Sequence, residues 1–362
     1  MHKFEGFDFL RAIFSLAIVA DHTGLFSLAT SYGTITATNL LYANFSYVAV
    51  PVFLQISLFL FQIKSGRVVF KTFFQNRIAK LIYLYLFWLT SFVLFRLFFK
   101  EGSAGIAKLR NLSIKEWIEF IVSGGNSPFY FFFSLIFLTI LTALLVLVFK
   151  KVQNFSTRIK ISYWLLFISC ILIFASSIID RLPTSIYPHP QITLIVAKIT
   201  SIVQWNYNPL NFLPYIFTTA IITQEFERGK FAQVTRLFKF ELWSLFFLFL
   251  IFTVLEWSLI DRLMNYSRLS LVFGSWLLLD LALLSTRRVP ALVSFISEYS
   301  LGLYTLHLFF THVILADNPN FLSRQSEPMP GLEILAEFLL VVSAALALTF
   351  GFKQISGLKR FV

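Results

Sequence analysis

Charged side chains make up only 13% of the 362 residues, and cysteine occurs once, at Cys170. A soluble domain has about a quarter of its residues charged, so a chain this poor in charge falls outside that class. A single cysteine within a hydrophobic stretch excludes an intramolecular disulfide and a cysteine metal cluster. No internal repeat is visible, which disfavours an inverted-repeat transporter. GxSxG, P-loop, HExxH and GxGxxG motifs are absent from suitable contexts. Hydrolase, nucleoside-triphosphatase and zinc-enzyme readings therefore lack support.

Apolar residues fill the space that charge leaves. Hydrophobic residues reach 57%, with 46 Phe and 7 Trp, and the mean hydropathy is +0.78. These values specify a polytopic membrane protein. The net charge of +12 comes from basic residues dispersed among apolar spans. That dispersion fits loop attraction to anionic lipid and orientation of the chain, and does not fit nucleic acid.

A crossing needs roughly 20 apolar residues. By that measure crossings are expected near 9–30, 45–63, 80–99, 128–149, 161–179, 209–224, 238–258, 268–285, 291–315 and 331–352. The stretch 191–205 is ambiguous. Ile192, Ile195, Val196, Ile199, Ile202 and Val203 follow a helical rhythm, with Lys198, Thr200, Ser201 and Gln204 opposite, so it reads as an amphipathic helix. With the N-terminus in the cytoplasm, twenty of the 30 Lys and Arg lie in inner segments and ten in outer ones. Making 191–205 a further crossing would put KQISGLKR outside. The expectation is an all-α bundle of about ten spans with both termini cytoplasmic, forming one domain over 1–362.

Two local features refine this picture. Ala12–Ala20 has the length of a signal-peptide core, but Asp21 and His22 follow it without a small-x-small cleavage site, so the first helix is expected to be retained. In the outer segment 101–127, Ser113 and Glu116 form a capping-box pattern for a short helix.

Chemistry concentrates in RAIFSLAIVADH, Arg11 to His22. Eleven residues bring two side chains within about 20° of three full turns, so both project from one helix face, about 16 Å apart. One face thus offers a cation near the cytoplasm and a titratable nitrogen beyond the bilayer midplane. Arg11 also reads as an orientation signal, and His22 as a polar bridge between helices. Intramembrane ionisable residues are costly, which keeps the functional reading in view. Asp21 lies about 100° round the helix from His22 and is a weak candidate to orient it. Asp280 and Glu256 are further acids within apolar stretches, Glu256 near a span end where water would solvate it.

FDFLRAIFSLAIVADH resembles the first-helix signature of the integral-membrane acyltransferase-3 family: an acidic residue, arginine, ten residues, then histidine. Here these are Asp8, Arg11 and His22. VPVFLQISLFLF is similar to the second-span pattern, although Ser57 stands one place late and Leu58 replaces a glycine. FFQNRIAKLIYLYLF resembles the basic stretch opening the third span, with Arg77 and Lys80 where two arginines are usual. EYSLGLYTLHLFF, Glu298 to Phe310, resembles the late Ser, Gly, Tyr and His pattern. Some relatives carry a Glu in the fourth span or an attached extracytoplasmic domain. FYFFFSLIFLTIL has no such Glu, and no appended soluble domain is expected.

The resemblance implies acyl transfer, most often of acetyl from cytoplasmic acetyl-CoA or another acyl-CoA, to a hydroxyl of a cell-envelope polysaccharide or lipid-linked sugar. It implies a catalytic set of His22, Asp8, Ser57, Tyr304 and His307. His22 acts as general base, with an acyl-imidazole also allowed. Tyr304 and His307, i and i+3, share a face; His307 either positions His22 or the acceptor hydroxyl, or makes an interhelical hydrogen bond. Arg11, Arg77 and Lys80 would bind the donor phosphates, Lys80 only as a point charge. The alternative for Arg77 and Lys80 is retention of their loop inside. A multi-pass protein of the bacterial plasma membrane follows, with lipid and a glycan acceptor as partners, no nucleic acid, no metal and no obligate protein partner. The competing function is a transporter or flippase for a glycan-like or acylated molecule, and a third reading is an inactive scaffold.

Overall fold

The computed structural model describes residues 4–27, 40, 42–66, 69–179, 205–259, 265–314 and 331–362. Most of 191–205 lies outside these, as do Arg181, Lys198, Arg262 and Arg324. The described residues form helices α1 (Glu5–His22), α2 (Ala49–Ser65), α3 (Phe70–Arg96), α4 (Gly102–Arg110), α5 (Ile114–Val122) and α6 (Tyr130–Lys151). These are followed by α7 (Phe155–Ile179), α8 (Pro214–Glu227), α9 (Arg236–Leu259), α10 (Leu269–Leu284), α11 (Ala291–Ile314) and α12 (Gly331–Gln354). Each of the ten predicted crossings coincides with one of these helices, and the protein is an all-helical integral membrane protein with multiple spans. Six helical stretches among the described residues are long and apolar enough to cross a bilayer. The first helix falls outside that group because Glu5, Asp8, Arg11 and Asp21 interrupt its apolar surface.

Several boundaries differ from expectation, and two of them bear on the site. The first helix ends at His22, where Thr23 turns its hydroxyl and amide back onto the Val19 carbonyl, each at 2.9 Å; His22 is therefore a last-turn residue. The third helix begins at Phe70, not near 80, and so carries Arg77 and Lys80 within it. FKTFFQNR is mostly aromatic or helix-favouring, which lets the helix continue past its basic residues.

The chain divides into two compact units, one of 1–49, 84–120 and 285–362, the other of 50–83 and 121–284. In the first unit, α1 packs against α11, which packs against α12. Phe7, Leu10, Phe14, Ala17, Ile18 and Val19 are all buried, and Phe9 is the exposed exception. A helix buried over most of its length belongs at the centre of its unit. Helices α11 and α12 run antiparallel, since Glu298 meets Lys353 and Gly302 meets Thr349, and they approach closely, because a Cβ at Gly302 would sit 2.2 Å from the Thr349 hydroxyl. The C-terminal tail is tied down by Trp88, whose Nε1 donates to the Phe361 carbonyl at 3.0 Å.

In the second unit, α2 is the buried helix. Gln55 and Gln62, seven residues apart, donate to Thr218 at 2.8 Å and Thr219 at 3.1 Å on α8. Interhelical hydrogen bonds of this kind contribute about 0.6 kcal/mol each within a membrane. By contrast α9 leaves Phe240, Trp243, Phe247, Ile251 and Val254 exposed, as a lipid-facing helix does. Outside the spans, the predicted capping box forms at α5. The Ser113 amide and hydroxyl both donate to Glu116 Oε2 at 2.7 Å, and the Glu116 amide returns to Ser113 Oγ at 3.3 Å.

Candidate active site

Between α1 and α11 the first unit holds polar side chains at two levels. At the first, Ser297 on α11 donates to Asp8 Oδ1 at 2.9 Å, and Arg11 Nη1 lies 3.7 Å from the same oxygen. At the second, the His22 and His307 ring centroids are 5.0 Å apart, inclined by 46°. Tyr304 lies one turn before His307, with ring centroids 6.2 Å apart. Because Asp8 meets Ser297 and His22 meets His307, the two helices run parallel. The first and ninth crossings of the predicted topology share that direction.

Hydrogen bonding sets the chemistry of the imidazole pair. His307 Nδ1 is 3.0 Å from the Leu303 carbonyl oxygen. A carbonyl only accepts, so Nδ1 carries the proton and, in the neutral ring, Nε2 is an acceptor. His307 is buried, whereas His22 at the end of α1 is half-buried. Asp21 takes no part in this pair: Ser46 donates to its Oδ2 at 2.9 Å from the turn Tyr42–Ser46. A neighbour in sequence thus faces a different element.

Arg11 keeps 32% of its side-chain surface exposed, against 13% for Asp8. At 3.7 Å the pair is loose, and the guanidinium retains donors for a second anion. Asp8 positions Arg11, and Ser297 positions Asp8. Ser297 carries no signal in the sequence, being one of many serines in apolar helices.

Ser57, Arg77 and Lys80 belong to the second unit. The guanidinium of Arg77 donates through Nη2 to Ser57 Oγ, and its buried Nε has no hydrogen-bond partner among the described residues. Lys80 is exposed. Leu58, at the place of the family's glycine, is fully buried and packs as a core residue. Ser57 is thus met by a cation, while the partner of His22 is another imidazole.

Two acids left unassigned by the sequence also find places. Glu256 is buried, not solvated: Arg268 Nε donates to it at 2.9 Å, and the Ser270 amide donates to its other oxygen at 3.0 Å. Asp280 is fully buried on α10. Nearby, Lys230 bridges Glu225 at 2.7 Å and Glu241 at 2.5 Å. Burial works to lower the pKa of this loop lysine, but the two carboxylates outweigh it and raise the value overall.

Compared with known proteins, the chain matches the family model described as an acyltransferase domain over residues 4–353. No curated protein and no solved structure matches it.

Proposed function

The chain belongs to the acyltransferase-3 family of integral-membrane proteins, and on that premise we propose that it moves an acyl group, acetyl above all, from cytoplasmic acyl-CoA to a hydroxyl of a cell-envelope polysaccharide or lipid-linked sugar. The reading includes residence in a bacterial plasma membrane. The observation that carries it is the His22–His307 pair at one end of an α1 face whose other end holds Arg11. That face spans about 16 Å, a distance a pantetheine arm can cover.

In this mechanism Arg11 binds a donor phosphate through its remaining donors, with Asp8 and Ser297 fixing its place. On the second unit, Arg77, whose guanidinium meets Ser57, and exposed Lys80, a point charge, are the cations suited to anionic groups of the donor. His22 takes the proton of the attacking hydroxyl as its oxygen bonds to the thioester carbonyl carbon. The C–S bond then breaks, and the departing thiolate gains a proton to leave as free CoA. The imidazolium formed on His22 lies in the last turn of α1, where backbone carbonyls favour positive charge by about 0.3–1 kcal/mol. His307 offers Nε2 as an acceptor that orients His22 or the incoming hydroxyl, and Tyr304 packs on its near side. Ser57 serves this chemistry through Arg77.

The test is the ester content of the host's surface glycans with and without the gene. Loss of one acyl group per repeat supports the reaction. An unchanged glycan refutes the glycan acceptor and moves the acceptor to a small molecule.

A further inference from the structure

The second unit gathers an aromatic cluster from three segments that the charge distribution assigns to the outer side: 123–130, 205–213 and 265–268. Tyr130 is central, with ring centroids 5.0 Å from Tyr207 and 5.7 Å from Tyr266. Phe212 lies 5.2 Å from Tyr266, and Trp205 lies 5.8 Å from Tyr207. Tyr130 and Phe212 are buried, while Trp205, Tyr207 and Tyr266 are half-buried.

Local polar groups hold these rings in place. Gly124, Gly125 and Asn126 adopt three successive left-handed conformations. A Cβ at Gly124 would lie 2.4 Å from the Tyr130 amide nitrogen, so this turn is built to bring its backbone against Tyr130. Asn208 Oδ1 accepts from the Leu210 amide at 3.0 Å, and Asn211 Nδ2 donates to the Trp205 carbonyl at 3.3 Å. Asn265 Oδ1 accepts from both the amide and the hydroxyl of Ser267 at 3.0 Å. Rings fixed in this way lose little freedom when a ligand stacks on them.

Charge selects the ligand. The only charged residue in the three segments is Arg268, and Glu256 already neutralises it in the interior. Among the described residues of these segments, a phosphate, an anionic headgroup or an acidic peptide would find no cation besides Arg268. Half-buried aromatic rings inclined to one another, by 87° for Trp205 and Tyr207 and by 52° for Tyr130 and Tyr207, suit a neutral ring that is apolar on its face and polar at its edge, because it can meet one aromatic face and one aromatic edge. Aromatics of a membrane interface instead stand towards lipid, whereas these rings pack on one another.

We propose that Trp205, Tyr207 and Tyr266 form a stacking platform for neutral sugar rings of the acceptor glycan. This assignment rests on the glycan-acylation reading above. It gives the second unit an acceptor-binding role.

The test uses the full-length protein in detergent, with a de-O-acylated oligosaccharide fraction from the host's surface glycan as probe. Trp205→Ala and Tyr207→Ala are each expected to raise the acceptor KM about tenfold, with kcat and the donor KM unchanged. Tyr207→Phe keeps the ring and should stay within about twofold of wild type. Titration with the oligosaccharide should change the intrinsic fluorescence of the wild type but not of Trp205→Phe. Unchanged acceptor KM in both alanine variants, or no saturable fluorescence response in the wild type, overturns the platform. If His22→Ala leaves acyl transfer intact, the reaction assignment fails, while the binding titration still judges the platform alone.

Discussion

Arg268 and Arg11 are two arginines in apolar surroundings whose charges are handled in opposite ways. Arg268 is 1% exposed and closed on Glu256, and Ser270 occupies the remaining carboxylate positions. Its charge is satisfied within the fold, at the expense of desolvating both ions. Arg11 is 32% exposed, held at 3.7 Å by Asp8, and placed on the face that leads to His22. One arrangement is finished and structural. The other has unused capacity, which the proposed donor site requires.

The sharpest way to break this contrast is to open the closed pair. Glu256→Ala leaves a buried guanidinium without its anion and is expected to cost about 3–5 kcal/mol, read as a fall in thermal unfolding temperature in detergent. An unchanged unfolding temperature would make Arg268 no more structural than Arg11. Next in size, Arg11→Ala should leave stability intact but raise the donor KM about 10–100-fold, the worth of a charge-assisted hydrogen bond of about 1.5–3 kcal/mol. Arg11→Lys should recover part of that loss, because a point charge cannot bind phosphate bidentately. A stability loss without a KM change would turn Arg11 into an orientation signal.

The smallest effect concerns a carboxylate in water. Two hydrogen bonds from Ser113 hold the Glu116 pKa below the usual carboxylate range. A depressed folded value means that the cap is fully present above the unfolded pKa and is lost as pH falls through the lower folded one. Hydrogen exchange of Ile114–Val122 should therefore stay slow through the ordinary range near about 4.3 and accelerate only below it. In Ser113→Ala the onset should move up to that range. Identical onsets in the two proteins would show that the cap carries no linkage.

Much of the fold is legible in the sequence because length and apolarity govern a bilayer-spanning helix. The ten expected crossings all meet described helices, and the Ser113–Glu116 cap is a local pattern that local rules reveal. Helix ends were less legible. His22 closes its helix through Thr23, with Gly24 at positive φ just beyond it, a stop that an apolar run read by length alone passes over; Phe70 starts α3 before Arg77, ahead of the apolar run that begins near 80. Periodicity placed Arg11 and His22 on one face but gave no sign of what faces them. Ser297 against Asp8, Ser57 against Arg77 and Glu256 against Arg268 are separated by 289, 20 and 12 residues. Such partners are set by packing between helices, which one sequence does not display.

The central claim is that the far end of the α1 face carries the reactive base. Thiol release from acetyl-CoA by the purified protein, with host glycan as acceptor, should fall by about 10²–10⁴ in His22→Ala, while its thermal unfolding matches wild type. Release at the wild-type rate in that variant would contradict the account.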